Sequence, residues 1–215
     1  MIKNKRLNFI ASLIDKNTNI LLDIGTDHGY LIKKAFDNGK IRKAIATDIN
    51  ELPLNNAKNN LTNYNVEFIL TDGFKGVKSE FDLVVIAGMG GNLIANILKD
   101  APNNNDIKYI LQANNKNDKL RRFLSANNFK ITNEHIINDK HYYVILEVVR
   151  GEMVLNNEDY YLGPILKTKK ESITYYKHLY KWYNTIIQKN GLTEGEIVLK
   201  ANILLNHIET NKGKK

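Results

Sequence analysis

Two aspartates and two glycines stand close together near the start of the chain, in a pattern that can bind a small ligand. Residues 21–30 read Leu-Leu-Asp-Ile-Gly-Thr-Asp-His-Gly-Tyr. An apolar run ends at Asp23, the chain passes through Gly25 and Gly29, and a segment with helical spacing follows. This order predicts a strand, a tight turn and a helix, which is where an open α/β sheet binds nucleotide-like ligands. The glycines let the backbone approach the ligand, and the helix start offers free N–H groups.

The acidity of this turn indicates the charge of the ligand. Asp23 and Asp27 repel a pyrophosphate, whereas they suit a ligand that carries positive charge. S-adenosylmethionine has a sulfonium and an ammonium group and no phosphate. The sequence therefore predicts S-adenosylmethionine as the cofactor.

Two more aspartates stand at the ends of the next predicted strands. Asp48 ends the second strand and Asp72 follows the third. We expect Asp48 to accept hydrogen bonds from ribose hydroxyls and Asp72 to meet the adenine amino group, while Asp23 and Gly25 lie near the amino-acid part of the ligand. A single aspartate at a strand end is commonly a helix cap or a turn residue. Three in succession favour a cofactor site.

The exit of the fourth predicted strand is rich in glycine and reads Ile86-Ala-Gly-Met-Gly-Gly91. It is not a P-loop, because no Gly-Lys-Ser/Thr follows. It also lacks the Asn-Pro-Pro-aromatic tetrapeptide of enzymes that methylate exocyclic amino groups. The simpler interpretation is a turn in which glycine permits helix–strand packing. The functional interpretation is a methyl-acceptor site in which the carbonyls of Ala87 and Gly88 are free to face a base.

The remaining pattern predicts an α/β fold with a doubly wound sheet of seven strands. Its predicted strands are 20–22, 43–48, 66–70, 81–87, 107–112, 129–137 and 141–149, the last two antiparallel, and its predicted helices are 31–38, 52–61, 93–98 and 118–127. Beyond residue 151 we expect a helix over 164–189 and, capped by Thr193, another over 194–211, folded into an antiparallel hairpin. The predicted domains are 1–152 and 153–215, with a disordered tail from Asn211.

Composition narrows the class of protein. The chain of 215 residues has no cysteine, which fits a reducing compartment and excludes disulfides and thiolate metal sites. No spacing of histidines or acids predicts a metal site, and no apolar stretch is long enough to span a membrane. The first 14 residues place Leu7, Ile10, Leu13 and Ile14 on one helical face, which favours an amphipathic helix over a signal peptide. We expect a cytoplasmic protein that is a monomer, although the sequence leaves oligomers open.

The net charge of +8 is concentrated near the C-terminus. Six lysines and a single acid fall within residues 164–189, interleaved with five aromatic residues. We expect most of these aromatics to form the seam between the two helices. The lysines are candidates for binding nucleic-acid phosphates, namely Lys169, Lys170, Lys177 and Lys181. A composition biased toward lysine and asparagine by the genome accounts equally well for the charge as a whole.

The motifs together resemble the bacterial tRNA adenine-22 N1-methyltransferases over essentially the whole chain. The resemblance rests on Asp23-Ile-Gly-Thr-Asp-His-Gly-Tyr-Leu31, Asp48-Ile-Asn50, Thr71-Asp-Gly73, Ile86-Ala-Gly-Met-Gly-Gly91 and Leu111-Gln-Ala-Asn114. It implies a class I, Rossmann-like methyltransferase core with a C-terminal coiled-coil hairpin. Two departures are visible, because Ala113 stands where the family usually has proline and Gly29 where alanine is frequent.

The resemblance also implies roles for individual residues. The implied cofactor contacts, to which we add three neighbours, are Asp23, Gly25, Thr26, His28, Tyr30, Asp48, Ile49, Asp72, Gly73, Ala87 and Gly88. The implied residues on the substrate side are Asp27, His28, Met89, Gln112 and Asn114, of which the first three are the catalytic candidates. His28 can also be a helix cap or a packing residue, but its place in the ligand turn favours a site role.

The chemistry that the resemblance implies is methyl transfer to N1 of adenine 22 in tRNA. Adenine N1 has an available lone pair at neutral pH, so no general base is required and positioning dominates. The methylated base is cationic, and Asp27 is placed to stabilise that charge. The alternatives are another RNA adenine position, a nicotinamide-dependent oxidoreductase and a non-catalytic RNA-binding module.

Overall fold

A seven-stranded sheet forms the first part of the computed structural model, which describes residues 4–211. The strands are β1 (Ile20–Ile24), β2 (Lys43–Asp48), β3 (Val66–Leu70), β4 (Leu83–Met89), β5 (Lys108–Ala113), β6 (Phe129–Asn138) and β7 (Tyr142–Arg150). Their order across the sheet is β3-β2-β1-β4-β5-β7-β6. Strands β1 to β5 are parallel, and β7 pairs antiparallel with both β5 and β6. The predicted doubly wound sheet and its closing antiparallel pair are confirmed.

Five helices accompany the sheet: α1 (Lys5–Leu13), α2 (Tyr30–Asp37), α3 (Glu51–Asn60), α4 (Gly91–Leu98) and α5 (Asn117–Ala126). The seven strands and helices α2 to α5 lie within two residues of their predicted bounds. The amphipathic helix predicted at the N-terminus is α1. Its Ile10 is fully buried in the hydrophobic core that also contains Leu21 of β1. Asn4 caps this helix by accepting a hydrogen bond from the Leu7 backbone N–H at 3.0 Å.

The order of the strands places the binding crevice between β1 and β4. These two strands are neighbours in the sheet, although β2 and β3 lie between them in the chain. At such a switch point the loops that follow the two strands diverge and leave a crevice at the carboxyl edge. The crevice therefore lies between the turn after Asp23 and the glycine-rich exit of β4.

The chain divides into two compact units between Met153 and Val154. The second unit contains α6 (Asn157–Leu162), a short 3-10 helix (Leu166–Thr168), α7 (Ser172–Asn190) and α8 (Glu196–Thr210). Tyr176, early in α7, contacts the ring of His207, late in α8, with ring centroids 5.1 Å apart. The contact joins opposite ends of two helices that are consecutive in the chain, as in an antiparallel pair.

In this second unit two sequence predictions were wrong and one helix was not predicted. A continuous helix over 164–189 is absent, because Lys169 is extended and α7 begins only at Ser172. Helix α6 was missed, although Asn156 and Asp159 form a capping box with two hydrogen bonds of 3.0 Å. Thr193 does not cap α8, whose N-cap is Gly195. Most of the predicted disordered tail, 212–215, lies outside the described residues, and Asn211 is the C-cap of α8.

Candidate active site

A cavity of about 540 Å³ opens at the carboxyl edge of the sheet, within the first unit. This volume is typical of sites for small molecules and cofactors. Its wall contains every residue that the sequence predicted for the cofactor, His28 among them, together with three further residues predicted for the substrate side: Asp23, Gly25, Thr26, Asp27, His28, Tyr30, Asp48, Ile49, Asp72, Gly73, Ala87, Gly88, Met89 and Asn114. The structure thus brings residues from five strand ends together, while their contacts with a ligand stay predictions.

The turn after β1 is shaped by backbone conformations that favour glycine. Gly25 has a φ of 75°, and a Cβ atom there would lie 2.2 Å from Met89 Cε. Glycine at this position therefore allows the turn and the exit of β4 to approach each other. Asp27 also has a positive φ, 51°, which L residues other than asparagine and aspartate rarely adopt.

Asp23 is the most deeply buried acid of the cavity, with 4% of its surface exposed. Its Oδ2 accepts a hydrogen bond of 2.8 Å from the Thr26 hydroxyl. Burial raises the pKa of Asp23 from 3.8 to about 7, the Thr26 hydrogen bond opposes that rise, and the charge of Asp48 adds to it. A cation bound beside Asp23 would favour the ionised carboxylate.

Asp48 organises the backbone of two neighbouring loops. Its Oδ2 accepts a hydrogen bond from the Asp27 N–H at 3.2 Å, and its Oδ1 accepts one from the Asn50 N–H at 2.9 Å. The carboxylate is therefore fixed at the end of β2, at the position from which it is predicted to bind the ribose hydroxyls. The exposed side chain of Ile49 follows it at the rim of the cavity.

His28 and Tyr30 form a stacked pair at the same rim. Their ring centroids lie 5.4 Å apart, with an angle of 26° between the planes. His28 Nε2 lies 3.7 Å from Asp27 Oδ1, and Gly29, not His28, is the N-cap of α2. The contact with Tyr30 supports a packing role for the His28 ring. The position of His28 in the cavity wall supports a role in the site as well.

Asp72 is paired with a lysine in this structure. Lys75 Nζ lies 2.8 Å from Asp72 Oδ2, and this hydrogen bond and the carboxylate charge raise the pKa of Lys75. Both side chains are more than half exposed, so the pair contributes little to stability. An adenine amino group at Asp72 has to share the carboxylate with Lys75 or displace it.

The exit of β4 is a β-bulge at Gly88. In the pairing with β5, Ala87 lies opposite Gln112 and Met89 opposite Ala113, which leaves Gly88 without a partner strand residue. Side chains satisfy its backbone instead: Gln112 Oε1 accepts from the Gly88 N–H at 3.1 Å, and Asn114 Nδ2 donates to the Gly88 carbonyl at 2.6 Å. The expectation of a free Gly88 carbonyl was wrong, because this carbonyl already accepts the hydrogen bond from Asn114.

The same network corrects the role of Gln112. Its side chain is fully buried and does not line the cavity, so the geometry does not support direct contact with a substrate. Gln112 Oε1 also accepts a hydrogen bond of 2.7 Å from Arg6 Nη1, and its Nε2 donates to Asn114 Oδ1 at 3.1 Å. Gln112 is therefore a positioning residue for the loop that contains Gly88.

The sequence interpretation missed Arg6, which lines the cavity from the first turn of α1. The helix itself was predicted, but nothing in its pattern indicates that it covers the carboxyl edge of the sheet. The four lysines predicted to bind tRNA all lie in the second unit. Lys177 and Lys181 are exposed on α7, while Lys169 and Lys170 precede that helix.

Within residues 4–211 the structure contains no group of three or more histidine or acidic side chains that could hold a metal ion. Across the same residues, no helix is both long enough and apolar enough to cross a membrane.

The sequence and the fold both match known proteins. The family model described as tRNA (adenine(22)-N(1))-methyltransferase matches residues 21–213. The chain belongs to this family. A Bacillus subtilis member described by the same words is 31% identical over 206 residues, which cover 89% of this chain and 84% of the relative.

Solved structures of the family carry the cofactor or its product. The Streptococcus pneumoniae protein Sp1610, in complex with S-adenosyl-L-methionine, is 29% identical and has a TM-score of 0.83, covering 95% of this chain and 99% of that one. The TrmK protein of M. capricolum, in complex with S-adenosyl-homocysteine, is 28% identical with a TM-score of 0.82, covering 97% of this chain and 99% of that one.

Proposed function

We propose that this enzyme binds S-adenosylmethionine in the cavity between β1 and β4 and methylates N1 of adenine 22 in tRNA. The observation that carries the proposal is the donor set of the cavity in a chain of this family. Four aspartates, Asp23, Asp27, Asp48 and Asp72, line the wall beside one arginine. Such a wall suits a nucleoside with a cationic amino-acid tail and disfavours a diphosphate, as in a nicotinamide dinucleotide.

The residues of the wall divide into two groups by position. Asp23, Asp48 and Asp72 stand at the ends of β1, β2 and β3 or just beyond and are proposed to bind the cofactor. Gly88 and Met89 stand at the exit of β4, with Asn114 behind them, and are proposed to face the acceptor base. When bound, S-adenosylmethionine supplies a methyl group on a positively charged sulfur, which is electrophilic without further activation.

The protein's contribution to the reaction is proposed to be positioning and charge stabilisation. Adenine N1 attacks through its lone pair, so none of the wall residues has to remove a proton first. The Asn114 and Gln112 side chains fix the bulged loop against which the base lies. Asp27, whose side chain is 70% exposed at the rim, is proposed to stabilise the positive charge that develops on the base. Because N1 lies on the Watson–Crick edge, the base has to leave its pairing partner.

The second unit is proposed to bind the tRNA backbone. Lys177 and Lys181 lie one turn apart on α7 and are exposed, and Trp182 beside them is 55% exposed. Lys167 is a weaker candidate because it already pairs with Asp159 at 2.7 Å. Tyr176 is fully buried, and its hydroxyl donates to the Leu162 carbonyl at 2.7 Å, so this aromatic residue is part of the core.

The test is methylation of an unmodified tRNA transcript by the purified protein, with the modified nucleoside located by mass mapping. We expect one methyl group on adenine 22 and none on a transcript with guanine at that position. Methylation at another adenine would support the alternative target. Binding of the transcript without methyl incorporation would identify a non-catalytic RNA-binding module.

A further inference from the structure

Arg6 differs in charge from the rest of the cavity wall. Of the described residues that line the cavity, four are aspartates, and Arg6 is the only arginine or lysine. It comes from the first turn of α1, which precedes every strand of the sheet. A lone guanidinium among carboxylates provides a place for the one negatively charged group of a ligand that is otherwise attracted by acids.

The structure holds this guanidinium in a defined place. Arg6 Nη1 donates to Gln112 Oε1 at 2.7 Å, and the guanidinium carbon lies 5.2 Å from the centroid of the Tyr143 ring. Its Nη1 and Nη2 also lie 3.4 and 3.8 Å from the point that a Cβ atom on Gly88 would occupy. Among the described residues the guanidinium makes a single hydrogen bond, so most of its five N–H donors are open to a ligand.

The proposed cofactor has one anionic group, the α-carboxylate of its amino-acid tail. The aspartates attract its ammonium and sulfonium groups but repel this carboxylate. Resting on the function proposed above, we propose that Arg6 binds the α-carboxylate and makes the amino-acid tail, with its carboxylate, a requirement for tight binding. A planar guanidinium can meet both carboxylate oxygens through two parallel N–H groups, which an ammonium cannot do.

The test compares two ligands by calorimetry, so that it does not depend on methyl transfer. One ligand is S-adenosylhomocysteine, and the other is its decarboxylated form, which keeps the adenosine, the thioether and the amine. The wild-type protein is expected to bind S-adenosylhomocysteine roughly 10- to 100-fold more tightly. Arg6→Met is expected to bind both ligands with affinities within about threefold of each other, and Arg6→Lys to show an intermediate preference.

Lys5→Met is the matched control, because Lys5 precedes Arg6 in α1, is exposed and does not line the cavity. It is expected to keep the wild-type preference. The proposal for Arg6 is overturned if the wild-type protein shows no preference, or if Arg6→Met weakens both ligands equally, which is the result of a merely structural role. It is equally overturned if Arg6→Met weakens only tRNA binding. A wild-type protein that binds neither ligand would contradict the proposed function itself.

Discussion

The side-chain amide of Asn114 donates a hydrogen bond of 2.6 Å to the carbonyl of Gly88, across the edge between β5 and the bulged end of β4. This bond fixes the direction of a carbonyl in the proposed acceptor site. Asn114→Asp keeps the shape of the side chain and the oxygen that accepts from Gln112, but it replaces the donor by a carboxylate. We expect methyl transfer to fall roughly 10- to 100-fold, because the carbonyl and the carboxylate repel each other.

The measurement for Asn114→Asp is single-turnover methylation together with the affinity for S-adenosylhomocysteine. That affinity is expected to change by less than about threefold, since the cofactor carboxylates on β1 to β3 are untouched. Equal losses of rate and affinity would place Asn114 in the cofactor site instead.

Asp23 makes cofactor affinity depend on pH. Its pKa in the free protein is raised to about 7, so at about pH 6 most molecules carry a neutral Asp23, and at about pH 7.5 most carry the carboxylate. The ammonium group of the amino-acid tail needs the carboxylate, and the dissociation constant for S-adenosylhomocysteine should therefore decrease roughly 5- to 10-fold over that interval. Asp23→Asn should bind weakly with little change over the same range. A wild-type affinity that is constant across the interval would contradict this role.

Asp27 can be tested without disturbing the turn that contains it. Its φ of 51° suits asparagine as well as aspartate, so Asp27→Asn removes the charge and keeps the backbone. We expect a loss of methyl transfer of roughly 10- to 100-fold with S-adenosylhomocysteine affinity nearly unchanged, because the charge is needed only as the base becomes cationic. The methyl-transfer rate and the calorimetric affinity of the variant are measured in parallel. A large loss of affinity would show that Asp27 binds the cofactor and would contradict its role at the base.

Gly25 and Gly39 offer a matched pair for the packing of the cavity. Both have a positive φ, 75° and 63°, but a Cβ on Gly25 meets Met89, while one on Gly39 meets open space. Each change to alanine should destabilise the fold by roughly 1 kcal/mol through backbone strain. Only Gly25→Ala is expected to weaken cofactor binding, by roughly tenfold or more, because a small displacement of the cavity wall is enough to misplace the ligand. Urea unfolding measures the stability of both variants, and calorimetry measures their affinity for the cofactor. Equal affinities would contradict the prediction and show that the Met89 side chain moves aside at little cost.

The lysines of α7 should control how tRNA binding responds to salt. Lys177→Gln with Lys181→Gln is expected to weaken binding and to reduce the slope of log K against log salt by about one for each lysine that contacts a phosphate. Lys16→Gln with Lys78→Gln removes the same charge from exposed positions in the first unit and serves as the control. Filter binding across a salt series gives both slopes. Identical slopes for the two double variants would contradict the prediction, because the α7 lysines would then affect tRNA binding only through the net charge of the protein.

The acids of the site could be predicted because local patterns determine where they stand. An apolar run that leads into Asp23 or Asp48 predicts both the strand and the edge of the sheet at which the aspartate lies. Arg6 could not be found in this way, since its partner Gln112 is 106 positions away and only the packing of α1 brings the two together. The bulge at Gly88 likewise depends on pairing with β5. The start of α7 was misplaced because lysine and threonine are compatible with a helix, and the extended Lys169 leaves no signal in composition.

The acidic wall of the cavity has a consequence for the order in which products depart. In the proposed reaction one positive charge leaves the sulfur and appears on the base, so the four aspartates face the same total charge before and after transfer. Their attraction moves from the spent cofactor, now a neutral thioether, to the modified nucleotide. The carboxylates that hasten the arrival of the methyl donor therefore delay the departure of the finished tRNA.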